Sequence, residues 1–380
     1  MLAAVKKSES VKPKTSNVIL LVETMNRIES LKKIAFDKDK IEGSLVLNSA
    51  NLTWLTGFCG ASALLIPRNG ENIVFVHGVN YAQAEAELSG FVVDLVKHGE
   101  NMMGKIAKQS SALKIKRLSV DVLDVESWRA LSKLLGSKKT LEVDNSFLRE
   151  LRKVKDENEI MRMRKAGELT SEGMRVAGEI IAAGVKEYEV AAEIEYAMRK
   201  LGSSGTAFET IVASGLSSAF PHGGCSDKKI REGDLVIVDV GATYKFYRSD
   251  MTRTFVVRKP SEKQKKIYEI VRAAQKKAVE TMKTNTKAKD VDAAARKVIT
   301  DAHYEEYFVH SLGHGVGLEI HEPPNLSPDS KDVLAAGNVL TVEPGIYLVG
   351  YGGIRIEDTV VVQKKGVEKL TKGLYALTKE

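Results

Sequence analysis

The sequence predicts an α/β (α+β) protein of two domains. The N-terminal one alternates strands and helices, and the C-terminal one is built from two matched helix–helix–strand halves. Three observations predict it. The chain has 380 residues, too many for one core at the roughly 100–200 residues of a usual domain. Short apolar runs alternate with helical patterns as far as Leu151–Lys155. Beyond that point the order helix, helix, strands occurs twice. The helix starts at Asp156 and Ser261 lie 105 residues apart, Asp239 and Glu343 lie 104 apart, and Asp250 and Glu357 lie 107 apart. Such spacing reads as a diverged internal duplication, and a site shared by two halves draws ligands from both.

Residues 1–24 stand apart: Ser/Lys-rich at first, then apolar at Val18–Val22. That run is too short for a secretory core and no A-x-A-like site follows. A leader, a tag or an extra strand all fit, and Met25 is a candidate start. Residues 25–152 read as the N-terminal domain. Ser44–Leu47 and Ala63–Ile66 are short buried strands, and Arg68-Asn69-Gly70 turns the latter into a hairpin partner at Ile73–Val76. Tyr81–Leu88 reads as a helix, Arg117–Val122 as a strand and Ser127–Leu135 as a helix. His77 and His98 stand alone here and carry no assigned role.

Residues 153–380 read as the second domain. Asp156 with Glu159 gives a D-x-x-E helix start, and Ile160, Met163 and Gly167 begin an apolar stripe that runs to about Ala183. Val190, Ile194, Met198 and Leu201 mark a second amphipathic helix that stops at Gly202. Strands follow at Asp234–Val240 and Asp250–Val257. Ser261 with Gln264 caps a third helix, and Asp290–Ala302 is a fourth. The last strands are Phe308–Leu312, Val339–Val342 and Ile354–Val361.

Bulk properties narrow the function. Apolar residues at 43% and charged residues at 28% describe a globular chain, and no apolar run approaches the length of a membrane span. The formal charge of +7 comes from 57 basic and 50 acidic residues that are interspersed, as a solvated surface is, and no nucleic-acid-binding pattern occurs. Two distant cysteines, Cys59 and Cys225, give neither a disulfide framework nor a CxxC metal pair, which favours a cytoplasmic setting.

The chemistry sits at strand ends. Asp239 closes an apolar strand and Asp250 opens the next. Folding the two about Tyr244-Lys245 sets these carboxylates opposite each other, with Cβ atoms about 4.5–5.5 Å apart. Glu343 ends Val339–Val342, and a fold about Gly350 sets it opposite Glu357, with Arg355 on the same face. One acid in a strand is ordinarily a surface group. Four in two matched pairs repel unless a cation lies among them or some are protonated. Three of the seven histidines, His310, His314 and His321, fall in the glycine-rich HSLGHGVGLEIHE, and His222 stands in a turn-like Phe-Pro-His-Gly. An imidazole with four carboxylates is an oxygen-rich site. It suits Mn²⁺ or Co²⁺, with Fe²⁺ or Zn²⁺ as alternatives, and four carboxylates neutralise two divalent ions that share a water.

At these residues the sequence resembles the methionyl aminopeptidase/prolidase/aminopeptidase P superfamily, the "pita-bread" metallopeptidases, over about residues 25–380. Asn51-Leu52-Thr53-Trp54-Leu55-Thr56-Gly57-Phe58 is similar to the creatinase/prolidase N-terminal domain. The resemblance implies metal ligands at Asp239, Asp250, His314, Glu343 and Glu357, with Asp250 and Glu357 bridging two ions. It implies Glu343 as the base, His222 and His321 as catalytic-pocket imidazoles, and His310 and Arg355 as substrate-binding groups, the guanidinium taking a C-terminal carboxylate. It further implies a homodimer in which a partner's N-terminal domain caps the pocket. All five ligands are present, which speaks against the metal-free creatinases and the non-catalytic binding relatives. The N-terminal domain speaks against the methionine aminopeptidases. The expected activity is hydrolysis of Xaa-Pro dipeptides with release of proline. The alternative is removal of the N-terminal residue from longer Xaa-Pro peptides.

Overall fold

The computed structural model describes residues 15–38, 41–137 and 139–378, and the chain divides into two compact units, Met1–Leu151 and Arg152–Glu380. Of the segment 1–24, residues 1–14 lie outside the described residues. A helix, α1 (Thr15–Lys38), covers the remainder, so no strand forms there.

The first unit continues with β1 (Gly43–Val46), α2 (Ser49–Thr56), β2 (Ala63–Pro67), β3 (Ile73–His77), α3 (Gly78–Glu87), β4 (Val92–Val96), α4 (Met102–Ala112), β5 (Arg117–Val120), α5 (Val125–Leu135) and β6 (Thr140–Val143). Helix α6 (Ser146–Lys153) carries the chain into the second unit. One mixed sheet in the order β4-β3-β2-β1-β5-β6 forms the first unit's centre. Ala63 pairs with Phe75 and Leu65 with Ile73, which centres that turn on Asn69, as the Asn-Gly signal predicts. Strands β4 and β6, which the sequence reading passes over, are the two sheet edges. An edge pairs on one side only and need not be apolar, so it leaves a weak pattern.

The second unit begins with α7 (Glu157–Ile180) and α8 (Glu187–Lys200). Strands β7 (Gly205–Thr206), β8 (Ile211–Ser214), β9 (Leu235–Val240), β10 (Ala242–Tyr244), β11 (Tyr247–Arg248) and β12 (Met251–Val256) follow. The second half has α9 (Glu262–Thr281), α10 (Ala288–Asp301), β13 (Gly313–Gly315), β14 (Glu322–Leu326), β15 (Val339–Val342), β16 (Gly345–Leu348), β17 (Gly352–Arg355), β18 (Asp358–Val362) and β19 (Val367–Lys369). Both expected capping boxes form, Asp156 with Glu159 and Ser261 with Gln264, so each half opens on a helix whose first N–H groups are satisfied.

The two halves repeat one plan. In the first, β8-β9-β12 form an antiparallel sheet and β10–β11 a hairpin beyond it. In the second, β13-β15-β18 form part of a sheet and β16–β17 the hairpin. Helices α7 and α8 pack Leu169, Ala177, Val190 and Ile194 on Val236, Val238 and Val240. Helices α9 and α10 pack Val271, Ala274, Val291 and Ile299 on Leu340, Val342, Val360 and Val362. Because side chains alternate along a strand, Asp239 and Thr341 lie on the faces turned away from these helices.

Two strand readings need correction. Phe308–Leu312 is not a strand: a 3-10 turn, Glu305–Tyr307, precedes it and pairing starts at Gly313. Ile354–Val361 is two strands in different sheets, β17 and β18. The expected register of the first hairpin is also off by two. Asp239 pairs with Thr252, and Tyr244 with Tyr247, so the turn is Lys245-Phe246 and not Tyr244-Lys245. Both turn residues have positive φ, 46° and 74°, the geometry that normally asks for Asn-Gly. The second register is as expected. Val342 pairs with Asp358 and Gly345 with Arg355, which places Glu343 across from Glu357.

A left-handed conformation costs an ordinary side chain roughly 1–2 kcal/mol. Replacing Lys245-Phe246 by Asn-Gly is therefore expected to stabilise the protein by about 1 kcal/mol in urea unfolding. An unchanged or lower midpoint would show that the turn carries no strain.

Candidate metal centre and active-site cavity

All nine side chains singled out from the sequence line one cavity of about 620 Å³ in the second unit: His222, Asp239, Asp250, His310, His314, His321, Glu343, Arg355 and Glu357. Asp239 is the last residue but one of β9, Asp250 precedes β12, His314 is the centre of β13, Glu343 follows β15 and Glu357 lies between β17 and β18. The hairpin correction leaves Asp239 and Asp250 on one face as diagonal neighbours, since two residues along a strand restore the same side.

The glycines around His314 let this happen. A Cβ on Gly313 would lie 2.1 Å from the Thr341 carbonyl oxygen, and one on Gly315 would lie 2.4 Å from that of Glu322. The G-H-G string is thus a strand pressed between two neighbours, and its histidine projects into the cavity.

Three of the four acids are held by a neighbouring side chain. Thr252 Oγ1 donates to Glu357 Oε2 at 2.6 Å, Thr341 Oγ1 to Glu343 Oε1 at 3.1 Å, and Arg355 Nη2 to Asp239 Oδ2 at 2.7 Å. Three further carboxylate oxygens, Asp239 Oδ1, Asp250 Oδ1 and Glu357 Oε1, are buried with no hydrogen-bond partner. His314 Nδ1 lies 3.0 Å from the Gly315 carbonyl oxygen. A carbonyl only accepts, so Nδ1 carries the proton and Nε2 presents its lone pair. That lone pair faces Glu343 Oε1 at 3.3 Å and Asp250 Oδ2 at 3.8 Å. Ligand atoms of Asp250, His314 and Glu357 lie within 4.8 Å of one another.

Lone pairs converging on lone pairs in a buried place is unfavourable without positive charge. The carboxyl groups respond accordingly. Burial, then the charges of Glu357, Asp239 and Glu343, push Asp250 well above the usual carboxylate range. Burial, then Glu343 and Asp239, do the same to Glu357, and burial raises Glu343. Burial lowers His314, which keeps its imidazole neutral. Orphaned oxygens, a neutral imidazole in the ligating tautomer and hard donors fit divalent cations.

The other expected residues sort into two groups. His222 and His321 are exposed to the cavity, and the His321 ring meets that of His314 edge-on at 4.3 Å. Arg355 is 3% exposed and spends all three nitrogens on protein oxygens: Nε on Thr252, Nη1 on Tyr347 and the Pro221 carbonyl, Nη2 on Asp239. Four of its five N–H groups are taken up in this way, and one on Nη2 is left over for a substrate carboxylate. Its geometry is that of a brace for the acids. Tyr347 accepts from Arg355 at 2.8 Å and lies 2.9 Å from His310 Nε2, while His310 Nδ1 donates to the Ser311 carbonyl at 2.8 Å. Both His310 nitrogens are thus also engaged.

The sequence reading missed Thr252, Thr341 and Tyr347. The threonines carried a usable signal: each lies two residues from a cavity acid on the same strand face. Tyr347 carried none, because its role depends on a hairpin partner.

Comparisons with known proteins identify the family. The model of metallopeptidase family M24 matches residues 161–364, and that of the creatinase/prolidase N-terminal domain matches residues 27–154. An Xaa-Pro dipeptidase from Pyrococcus horikoshii is 43% identical over 349 residues, 90% of this chain and 97% of that one. The crystal structure of the prolidase from Pyrococcus horikoshii superposes with a TM-score of 0.86 at 40% identity, covering 93% of this chain and 99% of that one. An X-Pro aminopeptidase from Thermotoga maritima superposes at 0.82 with 37% identity, covering 89% and 97%.

The raised carboxyl groups make a signed prediction. Freed of metal, the folded protein binds more protons than the unfolded chain between the ordinary carboxylate value of about 4 and the raised values. Its stability is therefore greatest on the acid side and declines as pH rises through that window. Melting of the chelated protein between roughly pH 5 and 8 should show this decline, smaller in Glu357→Gln, and a divalent cation should restore the wild type near pH 7. A pH-independent difference between the two proteins would contradict the charge crowding.

Proposed function

The chain belongs to metallopeptidase family M24, and from that premise we propose that it is an Xaa-Pro dipeptidase (prolidase), which releases C-terminal proline from dipeptides. The observation that carries the proposal is the set of three partnerless buried carboxylate oxygens in the cavity into which His314 turns its lone pair. The ligands would be Asp239, Asp250, His314, Glu343 and Glu357, holding two ions, Mn²⁺ or Co²⁺ by donor type. Bound there, the ions supply an acidified water and polarise the scissile carbonyl.

The chain's own residues supply the rest. Glu343, fixed on one side by Thr341, takes a proton from the attacking water and returns it to the departing prolyl nitrogen. That nitrogen belongs to a tertiary amide and cannot leave as an anion. His321 and His222 donate to the carbonyl oxygen as charge gathers on it. Arg355, Thr252 and Tyr347 keep the acids in place.

The alternative is an aminopeptidase P acting on longer Xaa-Pro peptides. One observation favours it. Among the described residues that line the cavity, Arg355 is the one Arg or Lys, and four of its five N–H groups are spent on protein oxygens. A dipeptide's carboxylate would then rely largely on neutral donors such as Asn325, Ser327 or the imidazoles. We further propose a homodimer, as the resemblance implies, in a cytoplasmic setting, as the two unpaired cysteines favour. No helix among the described residues is long and apolar enough to cross a membrane.

Proline release from Met-Pro beside Met-Pro-Ala by the Mn²⁺- or Co²⁺-loaded protein separates the readings. Cleavage of the dipeptide alone is expected. Preferential cleavage of the tripeptide moves the assignment to aminopeptidase P. With either substrate, His321→Ala should lower kcat by about 100-fold, the usual cost of one such donor. A loss confined to KM would remove His321 from the charge-stabilising role.

A further inference from the structure

Glu187 has no place in the sequence reading. It is 1% exposed, in the first turn of α8. Its two oxygens divide between two serines. Oε1 accepts from the Ser214 backbone N–H at 2.8 Å and from its hydroxyl at 2.6 Å, and Oε2 accepts from the Ser226 N–H at 3.0 Å and from its hydroxyl at 2.6 Å. Ser214 ends β8, and Ser226 lies after His222 in the same connection. One carboxylate thus joins the two ends of residues 215–225, the loop that brings Pro221, His222 and Gly224 to the cavity. Lys228 Nζ adds a bond to the Ser214 carbonyl at 2.7 Å, and α8 meets the exit side through Tyr188 N to the Ser226 carbonyl at 3.3 Å.

We propose that Glu187 is a positioning residue that sets His222 in the active-site cavity by pinning both ends of its loop. The proposal rests on the reading of His222 as a substrate-facing group. A buried carboxylate with four donors is a strong clasp, and it acts where holding matters most. His222 itself is exposed, so its own surroundings do little to place it. Within the loop, Ser218 Oγ accepts from Gly353 N at 2.9 Å, and the Pro221 carbonyl accepts from Arg355 at 3.3 Å. These fix the middle of the loop against β17, and Glu187 fixes its neck. A loop held at both places presents His222 at one distance from the acids; without the clasp the ends part and that distance spreads.

Glu187→Gln keeps size and shape but turns one acceptor into a donor facing N–H and O–H groups. In the metal-loaded full-length protein, two readouts decide. Amide hydrogen exchange over residues 215–225 should quicken by about tenfold or more, as the loss of one or two such bonds predicts, with metal content and exchange elsewhere unchanged. Turnover should fall, and Glu187→Gln combined with His222→Ala should lose no more than His222→Ala alone, because both remove the same contribution. Should Glu187→Gln fail to fold, Ser226→Ala, which removes one hydroxyl from the clasp, carries the same two readouts. Unchanged loop exchange, or losses that add to those of His222→Ala, overturns the proposal. If His222→Ala turns over like the wild type, the reading of His222 fails, and the exchange result still decides whether Glu187 holds the loop.

Discussion

Four carboxylates turned toward one another in a buried cavity repel, and almost every neighbouring feature of the second unit answers that repulsion. Asp250 and Glu357 are 5% and 1% exposed, so solvent screens them little, and each keeps one oxygen without a partner. Among the described residues that line the cavity, Arg355 is the one Arg or Lys, so the charge is offset only in part. Arg355 reaches only Asp239, on the oxygen turned away from the orphaned one. The threonines, Arg355 and the Gly315 carbonyl hold Glu357, Glu343, Asp239 and His314, while Asp239, Asp250 and Glu357 each keep one oxygen bare. That is a cradle for positive charge from outside the chain, and it explains why the carboxyl groups otherwise cling to protons.

The duplication makes the cradle affordable in structural terms. Each half lends the end of one strand and the start of the next, and its helices cover only the far face of the sheet. Cross-links then tie the halves together at the acids. Thr252 reaches Glu357, Thr359 Oγ1 accepts from Asp250 N at 3.0 Å, and Thr254 accepts from Arg355 N at 3.0 Å. The halves are not identical in detail. In the second, Glu343 faces Glu357 directly. In the first, the Lys245-Phe246 turn shifts Asp250 two places along, which staggers the two aspartates without changing their face.

Much of this was legible in the sequence because it follows from periodicity. Apolar strands that end in acids, capping boxes at both helix-pair starts, and matched spacings near 105 residues led to the two halves and to the cavity's charged groups other than Glu209. The sheet edges β4 and β6 were illegible because an edge need not be buried. The first hairpin's register was illegible because Lys-Phe does not announce a turn with positive φ at both positions. Arg355 was found as a cavity residue, but its engagement with Thr252, Tyr347 and Asp239 depends on three other strands. Glu187 gave no sign at all: its partners, Ser214 and Ser226, meet only when the intervening loop closes.

The central claim is that the crowded acids are a binding site for two divalent cations and not a protonated cluster. Calorimetric titration of the chelated protein with Mn²⁺ near pH 7, in two buffers of different ionisation enthalpy, tests it most directly. The account predicts two ions per chain with protons released on binding, since carboxyl groups held above their usual range must give them up. Saturation without proton release, or no binding at the cavity in a protein that is otherwise folded, would contradict it.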